Sequence, residues 1–140
     1  MTLRILGIDY GDSRIGVAVS DPFGWTAQGI ESISAKNGME SVFARIGEII
    51  NQYQPEKIIV GFPFNMNGTI GPRGEKTNEF IKEIEGKFKI PVQKWDERLT
   101  TVAAQKLMIE TNTKKTKKRS LIDTIAATYI LQGYLDSISK

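Results

Sequence analysis

The chain has 140 residues, enough for one domain, and its 40% hydrophobic and 25% charged content excludes the disordered and fibrous classes. It contains no cysteine and no histidine, which removes disulfides, thiolate nucleophiles, Ser–His–Asp triads and every imidazole or thiolate metal site. The net charge of +3 is concentrated: Lys114, Lys115, Lys117, Lys118 and Arg119 put five positive charges in six residues, leaving the rest of the chain net negative.

Any chemistry must therefore run on carboxylates, Lys, Tyr, hydroxyls and backbone amides. Any metal must be held by oxygen, which selects Mg²⁺, Mn²⁺ or Ca²⁺. The basic run suits a polyphosphate partner, or else is a solvated charged loop. No apolar run approaches 18 residues, and the start leads into a strand-like segment rather than a signal peptide. A soluble, cytoplasmic protein without membrane association is expected, as one domain over 1–140, monomer or weak homodimer.

In chain order, Leu3–Ile8 is almost continuously apolar and runs into the turn cluster Asp9-Tyr10-Gly11-Asp12. Ile15, Val17 and Val19 alternate with Gly16, Ala18 and Ser20, a second strand stopped at Asp21-Pro22. Thr26–Ile33 is a weaker third strand. Met39, Val42, Phe43, Ile46, Ile49, Ile50 and Tyr53 recur at helical spacing, and Pro55 closes that helix. Lys57–Phe62 (KIIVGF) is a buried strand, followed by the Gly/Asn-rich loop Pro63–Gly71. Pro72 opens a helix with the stripe Phe80, Ile81, Ile84 and Phe88, and Ile90–Trp95 is a fifth strand. Thr100 or Thr101 caps a further helix through Met108, and Leu121–Ile138 forms the last. Short turns make the first three strands an antiparallel meander. The helical crossovers set strands four and five parallel to strand one. The expected architecture is a mixed five-stranded α/β sheet with helices on both faces.

Ligands of open α/β sheets sit beyond the carboxyl ends of the parallel strands. Three apolar runs end there in polar groups: Asp9, Asn65-Met66-Asn67, and Asp96-Glu97-Arg98. Acids so gathered fit a hard-cation site. The alternatives are an Asx turn for Asp9 and a helix-entry charge pair for Asp96 and Glu97. Thr69, Gly71 and Arg73 lead into a helix start, an anion site or plain turn chemistry. Trp95 ends a buried strand and is read as core, and Trp25 follows a turn.

Four blocks then resemble the YqgF family: GIDYGDSRIGVAVSD (7–21), GFPFNMNGTIGPR (61–73), WDERLTT (95–101) and KKRSLIDTIAATYILQGYLD (117–136). Members are described as Holliday-junction-resolvase-like proteins and pre-16S ribosomal RNA nucleases. The blocks stand in family order and span nearly the whole chain. An actin-like or sugar-kinase ATPase shares only I-D-x-G and needs two domains around its nucleotide. The resemblance implies a ribonuclease H-like fold and Mg²⁺- or Mn²⁺-dependent phosphodiester hydrolysis. The carboxylates it implies are Asp9, Glu97 and Asp123, with Asp96 as the alternative to Glu97. The substrate it favours is precursor ribosomal RNA, with branched DNA as the alternative and an idle RNA-binding module as the non-enzymatic one. Related resolvases carry an acid just after the fourth strand, where this chain has Pro63 and Asn65, and position 67 is Asn where many relatives have Asp. Arg98, Arg73 and the run Lys114, Lys115, Lys117, Lys118 and Arg119 are candidate phosphate contacts, with pairing to a nearby carboxylate as the equal alternative for Arg98. Asp123 also has a structural reading, as the third residue of a capping box begun by Ser120.

Overall fold

The computed structural model describes residues 4–99 and 115–138, with side chains in the last segment from Asp123 onward. Five strands form one sheet in the order β3-β2-β1-β4-β5: β1 Ile5–Tyr10, β2 Arg14–Ser20, β3 Ala27–Ser34, β4 Lys57–Phe62 and β5 Val92–Asp96. The meander β1–β2–β3 is antiparallel, and β4 and β5 run parallel to β1. The helices are α1 Met39–Tyr53, α2 Pro72–Phe88 and α3 Lys115–Ile138, with a 3-10 turn at Glu97–Leu99. The helix expected between Thr100 and Met108 lies outside the described residues.

Strand alternation sorts side chains into two layers. Leu6, Ile8, Ile15, Val17, Val19, Ile58, Val60 and Phe62 form one core with Val42, Phe43, Ile46 and Ile49 of α1 and Phe80, Ile81 and Ile84 of α2. Helices α1 and α2 each end on a left-handed residue, Gln54 at φ 48° and Lys89 at φ 54°, whose N–H returns to the carbonyl four residues back. On the opposite face Ile5, Ala18 and Ile59 pack against Ala126, Ala127, Ile130, Leu131, Tyr134 and Leu135 of α3. Helices thus cover both faces, as the periodicity predicts.

A bulge in β3 preserves this sorting. Val17 pairs with Glu31 and Ala18 with Gly29, so Ile30 is the extra residue. Ile30 packs with the α1 core, and Glu31 accepts Arg45 of α1 at 2.6 and 2.9 Å. Gly29 and Ser32, on either side of the bulge, meet α3 instead.

Two boundaries differ from expectation. Asp9 lies inside β1, paired with Gly16, so it is a strand residue and not an Asx-turn residue. The final helix starts at Lys115 rather than Leu121. Ser120 is therefore a helix-interior residue, and the capping-box reading of Asp123 is overturned because the chain is already helical one turn earlier.

Candidate active site

A single row of residues crosses all five strands on the face that α3 covers. Asp9 of β1 pairs with Gly16 of β2, and Gly16 pairs with Ser32 of β3. On the other side the β1–β4 ladder reaches Ile8 opposite Val60, which sets Asp9 beside Gly61, and Gly61 pairs with Trp95 of β5. The row reads Ser32, Gly16, Asp9, Gly61, Trp95. Asp9, 7% exposed, is the acid at its centre.

The two glycines flanking Asp9 leave space that other acids enter. A Cβ on Gly16 would stand 2.0 Å from the Asp123 carbonyl oxygen and 3.2 Å from its Cβ. A Cβ on Gly61 would stand 2.4 Å from Ile130 Cδ1 and 3.3 Å from the Glu97 carboxyl carbon. Gly16 thus admits the backbone of α3 at Asp123. Gly61 admits the side chain that the 3-10 turn throws back from the end of β5. Three carboxylates from residues 9, 97 and 123 are carried to one row by topology.

Asp123 is held on its Oδ2 atom. Arg14 Nε donates to it at 3.0 Å and Ser32 Oγ at 3.2 Å. Among the described residues no three acidic side chains stand close enough to share one ion. The donor set is nonetheless all oxygen, with one buried acid and two partly buried ones beside two glycines that add no side chain of their own. That fits a hard cation in its chemistry.

The D-E-R segment divides its labour. Asp96 takes Arg98 Nε at 3.0 and 3.1 Å and Nη2 at 2.7 Å, together with the Arg98 backbone N–H at 2.9 Å. The Arg98 guanidinium holds the Asp96 carboxyl below the usual carboxylate range, and Asp96 in turn pushes Arg98 up. Asp96 is thereby occupied, while Glu97 is the acid at Gly61. Arg98 also donates through Nη1 to the carbonyls of Asn65 and Met66 at 3.3 and 3.4 Å and lies over the Phe64 ring. It ties the 63–71 loop to β5, with its charge already met.

That loop is otherwise built from its own polar residues. Asn65 Nδ2 donates to Thr69 Oγ1 at 2.9 Å, and Asn67 Oδ1 accepts both the Thr69 hydroxyl and its N–H. Arg73 is exposed on the first turn of α2, whose N-cap Gly71 has no side-chain cap. In the basic run, Lys114 lies outside the described residues. Lys115, Lys117, Lys118 and Arg119 belong to the first turns of α3, a helix rather than a loop. Asp123 follows one turn later, so this segment leads directly into the row.

Of the tryptophans, Trp95 is partly buried and meets Tyr134 edge-on at 6.3 Å, as a core residue does. Trp25 is 72% exposed beside Phe23, on a turn that Asp21 fastens through the N–H groups of Trp25, Thr26 and Phe23. Sequence reasoning missed Gly16, Gly61, Arg14 and Ser32. The signal for Gly16 was present in the small-residue face Gly16, Ala18, Ser20, whereas nothing in the pattern marks Gly61, Arg14 or Ser32.

Comparison with known proteins identifies the family and the fold. The family model described as "RuvX: Holliday junction resolvase" matches residues 3–137. Proteins named "Putative pre-16S rRNA nuclease" are similar at 56% identity in Ruminiclostridium cellulolyticum (98% of this chain, 96% of that one). The same name belongs to relatives 58% identical in Acetivibrio thermocellus (99% of each) and 50% identical in Bacillus subtilis (98% and 100%). Among solved structures, Thermus thermophilus RuvC in complex with a Holliday junction substrate superposes with a TM-score of 0.61 at 17% identity over 96% of each chain. That likeness fixes a ribonuclease H-like fold. With a full-length family match, half or more of its residues shared with curated relatives, and the RuvC fold around its acidic row, the chain belongs to the RuvX family, the family its four YqgF-like blocks resemble.

Proposed function

We propose that this protein is a Mg²⁺- or Mn²⁺-dependent nuclease that hydrolyses phosphodiester bonds of structured nucleic acid, with the 5′ end of precursor 16S ribosomal RNA as its substrate. The observation that carries this is the pair of glycines flanking Asp9, each opening its space to one further acid: Asp123 over Gly16 and Glu97 over Gly61. The names of the full-length relatives support the choice of RNA.

Asp9, Glu97 and Asp123 would hold the ion. Bound there, it would supply an activated water and stabilise the charge on the leaving oxygen. The chain's own residues do the rest. β1 fixes Asp9 at the centre, Gly16 and Gly61 put no side chain of their own beside it, and α3 delivers Asp123 with a cationic turn just ahead of it. Lys114, Lys115, Lys117, Lys118 and Arg119 would meet substrate phosphates, with Arg73 at the rim. Arg98, paired with Asp96, orders the neighbouring loop more than it binds phosphate.

The test is a cleavage assay in Mn²⁺ and Mg²⁺ offering a precursor ribosomal RNA fragment and a four-way DNA junction side by side. Cleavage of the RNA, lost in Asp9→Asn while the fold is retained, is the expected result. Asp9→Asn should also lose any rise in melting temperature caused by Mn²⁺, because an ion stabilises only the state that binds it. Preferential cutting of the junction would replace the substrate, and full activity of Asp9→Asn would end the reading.

A further inference from the structure

We propose that Arg14 and Ser32 are positioning residues for Asp123, fixing by one carboxylate oxygen the orientation in which its other oxygen meets the metal ion; this rests on the reading of Asp123 as a ligand given above. The backbone of Asp123 is already located, since its carbonyl oxygen sits 2.0 Å from the point where a Gly16 Cβ would stand. One residue later, Thr124 Cγ2 closes to 2.3 Å on the same point at Gly29. Only the side-chain torsions of Asp123 remain to be set. Two donors set them, from two different strands, and both reach the same atom: Arg14 Nε and Ser32 Oγ on Oδ2. Oδ1 accepts no hydrogen bond among the described residues.

The two donors are placed for this by the sheet. Ser32 is the β3 member of the row, two strands from Asp9, and it reaches the α3 face because it stands directly opposite Gly16 in the β2–β3 ladder. Arg14 opens β2 on the same face, two residues before Gly16. Its backbone is fastened by the turn in which the Gly11 N–H donates to the Arg14 carbonyl at 3.1 Å. Arg14 is 30% and Asp123 21% exposed in their side chains, so the pair is partly shielded and the contact is directional rather than a loose surface attraction. Ligating carboxylates depend on such outer hydrogen bonds, whose loss typically costs ten- to a hundredfold in metal affinity.

The pairing has a competing account, in which the Arg14 cation merely stands in for the ion and must be displaced. The two accounts differ in sign. A stand-in lost to Arg14→Gln makes Mn²⁺ bind more tightly, whereas a lost positioning contact makes it bind more weakly. Ser32→Ala separates orientation from charge, because it removes a hydrogen bond and no charge.

The experiment is Mn²⁺ titration of the full chain, followed by calorimetry and by the paramagnetic signal of free Mn²⁺. It compares wild type, Arg14→Gln, Arg14→Lys, Ser32→Ala and Asp9→Asn, with thermal unfolding in chelator alongside. Arg14→Gln should weaken Mn²⁺ binding by about ten- to a hundredfold and Ser32→Ala in the same direction by about tenfold, with Arg14→Lys recovering part of the loss. Unchanged Mn²⁺ affinity in Arg14→Gln and Ser32→Ala, whatever their melting temperatures, would reduce the contact to a structural one and overturn the proposal. Tighter binding in Arg14→Gln would overturn it in favour of the stand-in. If Arg14→Gln does not fold, Ser32→Ala decides. Failure of the underlying reading looks different: wild type and Asp9→Asn would bind Mn²⁺ alike or not at all, and the proposal would fall with it.

Discussion

Gly16→Ala is the smallest change that addresses the row directly. The added Cβ would stand 2.0 Å from the Asp123 carbonyl oxygen and 2.5 Å from its carbonyl carbon, where ordinary contact begins at 3.4 Å. Both neighbours are backbone atoms, so no rotamer change relieves the clash, and α3 must retreat by about 1.4 Å at that turn. Overpacking of this kind costs about 1–3 kcal/mol, and a backbone neighbour puts it at the upper end. At about 3–5 °C per kcal/mol for a domain of this size, the melting temperature should fall by about 10 °C. A displacement beyond 1 Å of a residue that must meet a reacting group costs on the order of 10²-fold in rate. Calorimetry and cleavage per folded molecule read the two effects. Gly86→Ala is the control: it lies inside α2 with nothing within 4 Å of its Cβ position, and should stabilise by about 0.5–1 kcal/mol. A Gly16→Ala protein that melts within about 2 °C of wild type and cleaves at the wild-type rate would refute the close seating of α3 on the sheet.

Three further outcomes can be measured. The hydrogen bonds from Thr26, Trp25 and Phe23 N–H groups lower the Asp21 pKa below its usual 3.8. The stability Asp21 contributes is therefore present above the unfolded value and lost as pH falls through the depressed folded one. The melting-temperature gap between wild type and Asp21→Ala should accordingly be open at pH 6 and narrow as the pH falls below the usual carboxylate range. Neutralising Lys114, Lys115, Lys117, Lys118 and Arg119 should weaken RNA binding to all sequences alike and reduce the salt slope by about 0.7 per lost contact, about 3.5 at most; an unaltered slope would return the run to a solvated surface. Arg98→Ala should speed amide exchange at Asn65–Thr69 while leaving the salt slope nearly unchanged, and a slope reduced by a full contact would show that Arg98 meets phosphate after all.

The strand order was legible because hydrophobic pattern and connection length fix it together. Ile15, Val17 and Val19 alternate, and each helical crossover forces a parallel return. The start of α3 was not legible. Lys and Arg are good helix formers but carry no apolar period, so the turns before Leu121 looked like a charged loop. Asp9 and Glu97 could be placed at one sheet edge from topology alone. Asp123 needed the family resemblance, since a single acid on a long apolar helix has no periodic signature. Which of Asp96 and Glu97 pairs with Arg98 and which lies at Gly61 is a matter of side-chain placement that sequence leaves open. Arg14 and Ser32 depend on contacts 109 and 91 residues away in the chain. No local pattern encodes a separation of that kind.

The two faces of the sheet differ in what they can tolerate. Under α1 and α2, large aliphatic and aromatic side chains interleave, and such a layer absorbs volume-conserving exchange with modest loss. Under α3 the fit is made at Gly7, Gly16, Gly29 and Gly61, where a Cβ would come within 2.0 to 2.7 Å of the helix. The acid-bearing helix is thus gauged against the sheet at four points, by its own backbone at Gly16 and by side chains of Leu131, Thr124 and Ile130 at the other three. A library randomised in the α1–α2 layer should therefore yield many variants of altered melting temperature but unaltered chemistry, whereas one randomised at the four glycines should yield almost none that retain both.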